Sequence, residues 1–120
     1  MATIKAYTDI DQSRKLAEIL PLESADMYYR DWKRDTKDIR IANVGSAGKE
    51  DLPCWSLAAL LHVLPKIGAE EPMIIKMYYA SEPKERYVCE YGLTDITSEY
   101  DNPVDACYEM ILKLNELKIL

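Results

Sequence analysis

The sequence predicts an α+β fold: an antiparallel sheet of two β-hairpins with three helices, in the order α-β-β-α-β-β-α. The apolar segment 54–64 is bracketed by Pro53, which the first turn of a helix tolerates, and by Pro65, which a helix interior does not. A pair of short alternating stretches lies on each side of that segment, as expected for hairpins. Because Ser56 and His62 are its only polar residues, we expect the central helix to be buried.

Length and charge narrow the class of protein. With 120 residues we expect one domain, residues 1–120. Fifteen Lys and Arg against 21 Asp and Glu give a net charge of −6, which argues against a broad grip on nucleic acid or on an anionic membrane. The sequence has no secretory apolar run and no stretch long enough to span a bilayer, so a cytoplasmic location without a membrane partner is expected.

The N-terminal half predicts one helix and one hairpin. Thr8, as a capping residue, together with the acidic residues that follow it, indicates a helix over residues 9–20, which ends before a proline. Two alternating stretches, 25–29 and 39–44, are predicted to pair across a long charged loop, 30–38.

The C-terminal half predicts a second hairpin and a last helix. Its strands are expected at residues 73–79 and 86–91, joined by a turn at 80–85. A register with Tyr79 opposite Tyr87 and Lys76 opposite Glu90 forms an apolar face and an opposite-charge pair at once. The sequence Asp-Asn-Pro at 101–103 indicates the start of the final amphipathic helix.

Two short matches recur at an offset of fifty residues. Met-Tyr-Tyr occurs at 27–29 and 77–79, and Asp-x-Pro begins at Asp51 and at Asp101. The offset has two interpretations, a structural repeat of strand, strand and helix, or coincidence.

Three blocks of sequence carry a resemblance. Leu-Glu-Ser-Ala-Asp-Met at 22–27, Leu-Pro-Cys-Trp-Ser-Leu-Ala-Ala-Leu-Leu at 52–61, and the segment 102–114 resemble parts of small uncharacterised proteins of gut bacteria and of their phages and mobile elements. That family has no assigned activity, so the resemblance transfers no functional residue. It implies an accessory or regulatory binding protein, by analogy.

The cysteines are the candidate reactive groups. Cys54, placed in the first turn of the central helix, would be the best nucleophile, since a helix N-terminus stabilises a thiolate. His62 lies eight residues further on, about 12 Å along a helix axis, too far to act as its base. The scattered Cys54, Cys89 and Cys107 do not have zinc-site spacing. We therefore expect buried, reduced thiols and no metal or cofactor.

Nine tyrosines and no phenylalanine favour an interaction surface. If the two hairpins share one sheet, Tyr28 and Tyr78 lie on a common outer face, and Trp32, Arg34 and Arg40 belong to the charged loop region. The preferred interpretation is a non-enzymatic interaction or regulatory protein that binds another protein, with self-association left open. The alternatives are a nucleic-acid-associated factor that uses residues 30–40, and a cysteine enzyme that uses Cys54.

Overall fold

The computed structural model describes residues 5–30, 38–41, 51–67, 71–79, 82–91 and 96–120. In these ranges the chain is α+β, as predicted, and all strand pairs are antiparallel. The elements are α1 (Ile10–Ile19), a 3-10 turn (Leu22–Ser24), β1 (Met27–Arg30), β2 (Asp38–Ile41), β3 (Leu52–Cys54), α2 (Leu57–Val63), β4 (Met73–Tyr79), β5 (Glu82–Tyr91), β6 (Ile96–Tyr100) and α3 (Pro103–Glu116).

The chain divides into two compact units. The N-terminal unit is Ala6–Ala59, and the C-terminal unit is Leu60–Leu120 together with Met1–Lys5. Both predicted hairpins are present, but each has gained a third strand, and they form two separate sheets rather than one. The expectation of a single sheet is therefore wrong, while that of a single domain stays a prediction.

In the N-terminal unit, β1 is the central strand, with the order β2-β1-β3, and α1 packs against β3. The helix begins one residue later than predicted because Asp9, not Thr8, is its N-cap. The Asp9 carboxylate accepts the Gln12 N–H at 2.8 Å, and the Gln12 side chain accepts the Asp9 N–H at 3.1 Å. This reciprocal capping box satisfies two of the four amides that a helix start leaves unpaired.

The predicted central helix begins three residues too early. Residues 52–54 instead form β3, which pairs with β1, and α2 begins only at Leu57. Ser56 caps α2 by accepting the Ala59 N–H at 3.2 Å. The Asp26 carboxylate fixes that serine, since it accepts the Ser56 N–H at 2.9 Å and also the Ser56 hydroxyl. A strand therefore ends and a helix starts inside one apolar run.

The two faces of α2 differ in exposure. Ala59 and Leu60 are buried, whereas Leu61 and His62 are exposed. Burial of the central helix therefore holds for one face, and His62 lies at an exposed position, as its polarity predicts.

In the C-terminal unit, the strand order is β4-β5-β6. The predicted register of the second hairpin is wrong: Lys76 lies opposite Tyr87 rather than Glu90. A shift by an odd number of residues exchanges the two faces of the strand. Tyr79 pairs with Glu82, and the register slips between Tyr78 and Tyr79. Pro83 falls at this irregularity, where the absence of an N–H is tolerated.

Helix α3 packs on β5 and β6. Asn102 is its N-cap, with the side-chain oxygen 2.8 Å from the Asp105 nitrogen, and Pro103 occupies the first helical position, as predicted from Asp-Asn-Pro. The buried side of the helix comprises Pro103, Val104, Ala106, Cys107, Met110, Ile111 and Leu114.

The fifty-residue offset does not mark equivalent positions. Met27–Tyr29 lies in the central strand of its sheet, whereas Met77–Tyr79 lies in an edge strand of the other sheet. Pro53 is inside a strand, and Pro103 begins a helix. The interpretation as coincidence fits these placements.

Lys118, just beyond the C-terminus of α3, has a strained backbone conformation. Lys118 has φ of 59°, and the Ile119 N–H bonds to the Leu114 carbonyl at 2.9 Å, which is the Schellman arrangement that usually has glycine at the left-handed position. We expect Lys118→Gly to raise the free energy of unfolding by about 1 kcal/mol, because glycine avoids the clash of Cβ in this region. Urea unfolding measures the change. Lys118→Ala keeps the clash, and an equal gain in that variant would contradict the explanation.

Candidate functional site

Of the five residues proposed for an interaction surface, the structure describes the backbone of Tyr28, Arg40 and Tyr78, and the surface itself stays a prediction. Tyr28 is only 4% exposed and lies in β1, the central strand of its sheet. Tyr78 lies in β4, in the other sheet, so the two tyrosines have no common sheet face. Arg40 pairs with Tyr28 through the β2 backbone. Trp32 and Arg34 lie outside the described residues, so the nucleic-acid alternative stays a prediction.

Cys54 lies in a buried polar cluster of the N-terminal unit. Its thiol donates to the Thr8 carbonyl at 3.3 Å, and the Thr8 hydroxyl donates to the sulfur at 3.6 Å. The same hydroxyl is 2.8 Å from the Ser13 hydroxyl and accepts the Trp55 N–H at 3.1 Å. The Tyr29 hydroxyl donates to the Thr8 carbonyl at 2.7 Å. Thr8, Ser13 and Cys54 are fully buried, so the cluster satisfies polar groups inside a core.

The electrostatics of the cluster oppose a nucleophilic role for Cys54. Burial raises the pKa of the thiol, against smaller opposite effects of its hydrogen bonds with Thr8, Ser13 and Tyr29. Burial also raises the pKa of Tyr29, which keeps the phenol protonated and unable to act as a base near neutral pH. The predicted activation by a helix N-terminus is wrong, because Cys54 is the last residue of a strand.

We expect Cys54 to resist alkylation in the native protein. The reagent needs the thiolate, which burial disfavours, and it must reach a side chain of 0% exposure. Native protein and protein in denaturant are treated with iodoacetamide at neutral pH. Mass spectrometry then measures the fraction of the tryptic peptide 50–66 that carries an alkyl group. Complete labelling of this peptide at equal rates in the two samples would revive the catalytic alternative.

A cleft of about 290 Å³ opens beside this cluster. It is lined by Asp9, Ile10, Asp11 and Tyr29. Asp9 is occupied by capping α1, and the Tyr29 hydroxyl by the Thr8 carbonyl. Two polar groups of the cleft, those of Asp9 and Tyr29, thus serve the fold.

The outer edge of β4 differs from the cluster and the cleft because it presents backbone groups rather than side chains. Within the described residues β5 is its only strand neighbour, so one side of the β4 backbone has no ladder partner there. Four described strands lie at sheet edges, and β4, with seven residues, is longer than β2, β3 and β6, with four, three and five. Its sequence, Met-Ile-Ile-Lys-Met-Tyr-Tyr, contains no Pro or Gly and a single charge, on the exposed Lys76.

Such an edge offers a row of N–H and C=O groups to any extended chain. Proteins usually protect long apolar edges with proline, bulges or charges. The protective features of β4 are the charge of Lys76 at its centre and the irregularity after Tyr78. Sequence analysis could not find this edge, because strand order depends on contacts distant in sequence.

Among the described residues, no helix has the length and hydropathy to cross a bilayer, and no cluster of three or more His, Cys, Asp or Glu could hold a metal ion. Comparisons with protein-family models, with curated proteins and with solved structures found no match to this chain. The resemblance of its three sequence blocks to proteins of gut bacteria and phages therefore stays a prediction.

Proposed function

We propose that this chain is a non-enzymatic interaction protein that binds another protein by adding an extended segment of that partner to the outer edge of β4. The observation that carries the proposal is the outer edge of β4, seven residues long, rich in strand-favouring side chains and without a strand neighbour among the described residues. In strand addition, backbone hydrogen bonds supply the affinity, and alternate side chains supply the specificity. Tyr78, which the sequence analysis placed on the interaction surface, is a residue of β4 and therefore remains part of the proposed binding edge.

Lys76 argues against a second copy as the occupant. It is the middle residue of Met73–Tyr79, so the antiparallel register that pairs all seven residues of two copies places Lys76 opposite itself. Like charges directly opposite each other destabilise a strand pair. The net charge of −6 also opposes self-association. The occupant is therefore a different polypeptide, whose residue opposite Lys76 is acidic or neutral.

We also propose that the protein is located in the cytoplasm. The cysteines Cys54, Cys89 and Cys107 are all free and buried, and reducing compartments keep thiols in this state.

The test uses two labelled seven-residue peptides of alternating threonine and valine, one with a central glutamate and one with a central lysine. Binding is measured by fluorescence anisotropy at about 0.15 M salt. At this ionic strength, salt screens interactions with charges of the chain that lie more than about 8 Å away. We expect the glutamate peptide to bind about 2- to 5-fold more tightly, the range of a cross-strand charge pair. Lys76→Glu is expected to reverse the order.

Lys66→Glu is the matched control. It changes the net charge by the same amount at an exposed position outside β4, so the glutamate peptide should remain the tighter ligand. Failure of both peptides to bind, or an unchanged order in Lys76→Glu, would contradict the proposal.

A further inference from the structure

One face of the C-terminal sheet changes in character along β4. Ile74 and Lys76 are two residues apart, so their side chains lie on the same face of the strand. Ile74 is half-buried and lies opposite Cys89, which is fully buried. Lys76 is exposed and lies opposite Tyr87, which is half-buried. This face therefore has an apolar, largely buried row at Ile74 and, two residues further along β4, an exposed charged row at Lys76.

A strand that is added to the outer edge of β4 extends both rows by one residue. Directly opposite residues of an antiparallel pair have Cβ atoms about 4.5 to 5.5 Å apart, so one residue of the added strand contacts the aliphatic side chain of Ile74. An apolar residue at this position removes further apolar surface from water. The residue opposite Lys76 contacts a cation, which favours a carboxylate there. These two positions of the partner are also two residues apart.

The direction of the partner follows from the sheet that it joins. All strand pairs of the described residues are antiparallel, and an antiparallel pair is slightly more stable per residue than a parallel one. In an antiparallel partner, the residue opposite Ile74 comes after the residue opposite Lys76. Both positions precede the register slip between Tyr78 and Tyr79, so they lie in the regular part of β4.

We propose that the partner segment runs antiparallel to β4 and carries an acidic residue followed, two positions later, by an apolar residue. Because this inference rests on the proposed function, it specifies the polypeptide that the edge of β4 binds. Ile74 then joins Lys76 as a residue that determines which segments bind. Alternate side chains supply the specificity of strand addition in general.

The test uses two labelled seven-residue threonine peptides with a central glutamate. In one peptide, isoleucine stands two positions after the glutamate, whereas the other keeps threonine there. Both residues are β-branched, so the two peptides have similar preferences for an extended strand. By fluorescence anisotropy, we expect the isoleucine peptide to bind the unchanged protein about 2- to 5-fold more tightly, the range of a cross-strand pair. Ile74→Thr should remove most of this difference, because it removes the aliphatic partner of the isoleucine.

Tyr78→Thr is the matched control for direction, because Tyr78 lies two residues from Lys76 on the side away from Ile74. An antiparallel partner places its isoleucine opposite Ile74, so Tyr78→Thr should keep the preference for the isoleucine peptide. A parallel partner would place the isoleucine opposite Tyr78. A preference that is lost in Tyr78→Thr and kept in Ile74→Thr would therefore overturn the assigned direction. Circular dichroism checks that both variants are folded.

The comparison in the unchanged protein does not depend on either variant. If that protein binds both peptides equally tightly, the edge of β4 binds extended segments without selection by Ile74, which overturns this inference and leaves the proposed function standing. If it binds neither peptide, the proposed function fails together with the inference.

Discussion

Trp55→Ala is expected to lower the free energy of unfolding by about 3 to 5 kcal/mol, the cost of removing a large aromatic side chain from a core. Trp55 is 0% exposed and is the largest fully buried side chain among the described residues. Its indole N–H also donates to the Ser24 hydroxyl at 2.9 Å. Since a domain typically has only about 5 to 15 kcal/mol of stability, this change alone should bring the protein close to unfolding. Urea denaturation followed by circular dichroism measures the loss.

Leu22→Ala is the matched control for this prediction. Leu22 is an apolar residue of the same unit with 61% exposure, so its truncation should change stability by less than about 0.5 kcal/mol. Comparable losses in both variants would mean that Trp55 does not occupy the core.

Thr8→Val is expected to cost about 2 kcal/mol, although the two side chains have nearly the same shape. The substitution removes the hydroxyl that accepts the Trp55 N–H and pairs with the Ser13 hydroxyl. It leaves a buried donor without its partner, which costs far more than the net gain from one hydrogen bond. The same urea experiment gives the value.

Thr8→Ser separates the hydroxyl from the methyl group. Serine keeps the oxygen at this fully buried position, so most of the stability should remain. If serine and valine cost the same, packing of the methyl group rather than the hydrogen-bond cluster holds this part of the fold.

The helices α1 and α3 could be predicted because their signals are local. A proline follows α1 within two residues of its end, and Asn102 and Pro103 adjoin the start of α3. The boundary between β3 and α2 could not be predicted, because an apolar run does not distinguish a buried strand from a buried helix. That boundary depends on Asp26, which lies thirty residues away and fixes Ser56.

The candidate site was less accessible to sequence analysis than the fold. Periodicity placed a strand at 73–79, but the register and the strand order decide which edge remains unpaired. The sequence predicts that Pro83 belongs to a turn, whereas it lies in β5 at the register slip. Burial of Cys54 at 0% exposure agrees with the expected structural thiol.

Backbone amide exchange in β4, followed residue by residue by NMR, tests the central claim most directly. In an edge strand alternate residues direct their N–H groups away from the neighbouring strand, so the amides of Met73–Tyr79 should alternate between slow and fast exchange in the free protein. The glutamate-centred peptide should slow the fast set and leave the slow set unchanged. Slow exchange of all seven amides in the free protein, or a fast set that the peptide does not alter, would contradict an edge that binds an extended partner.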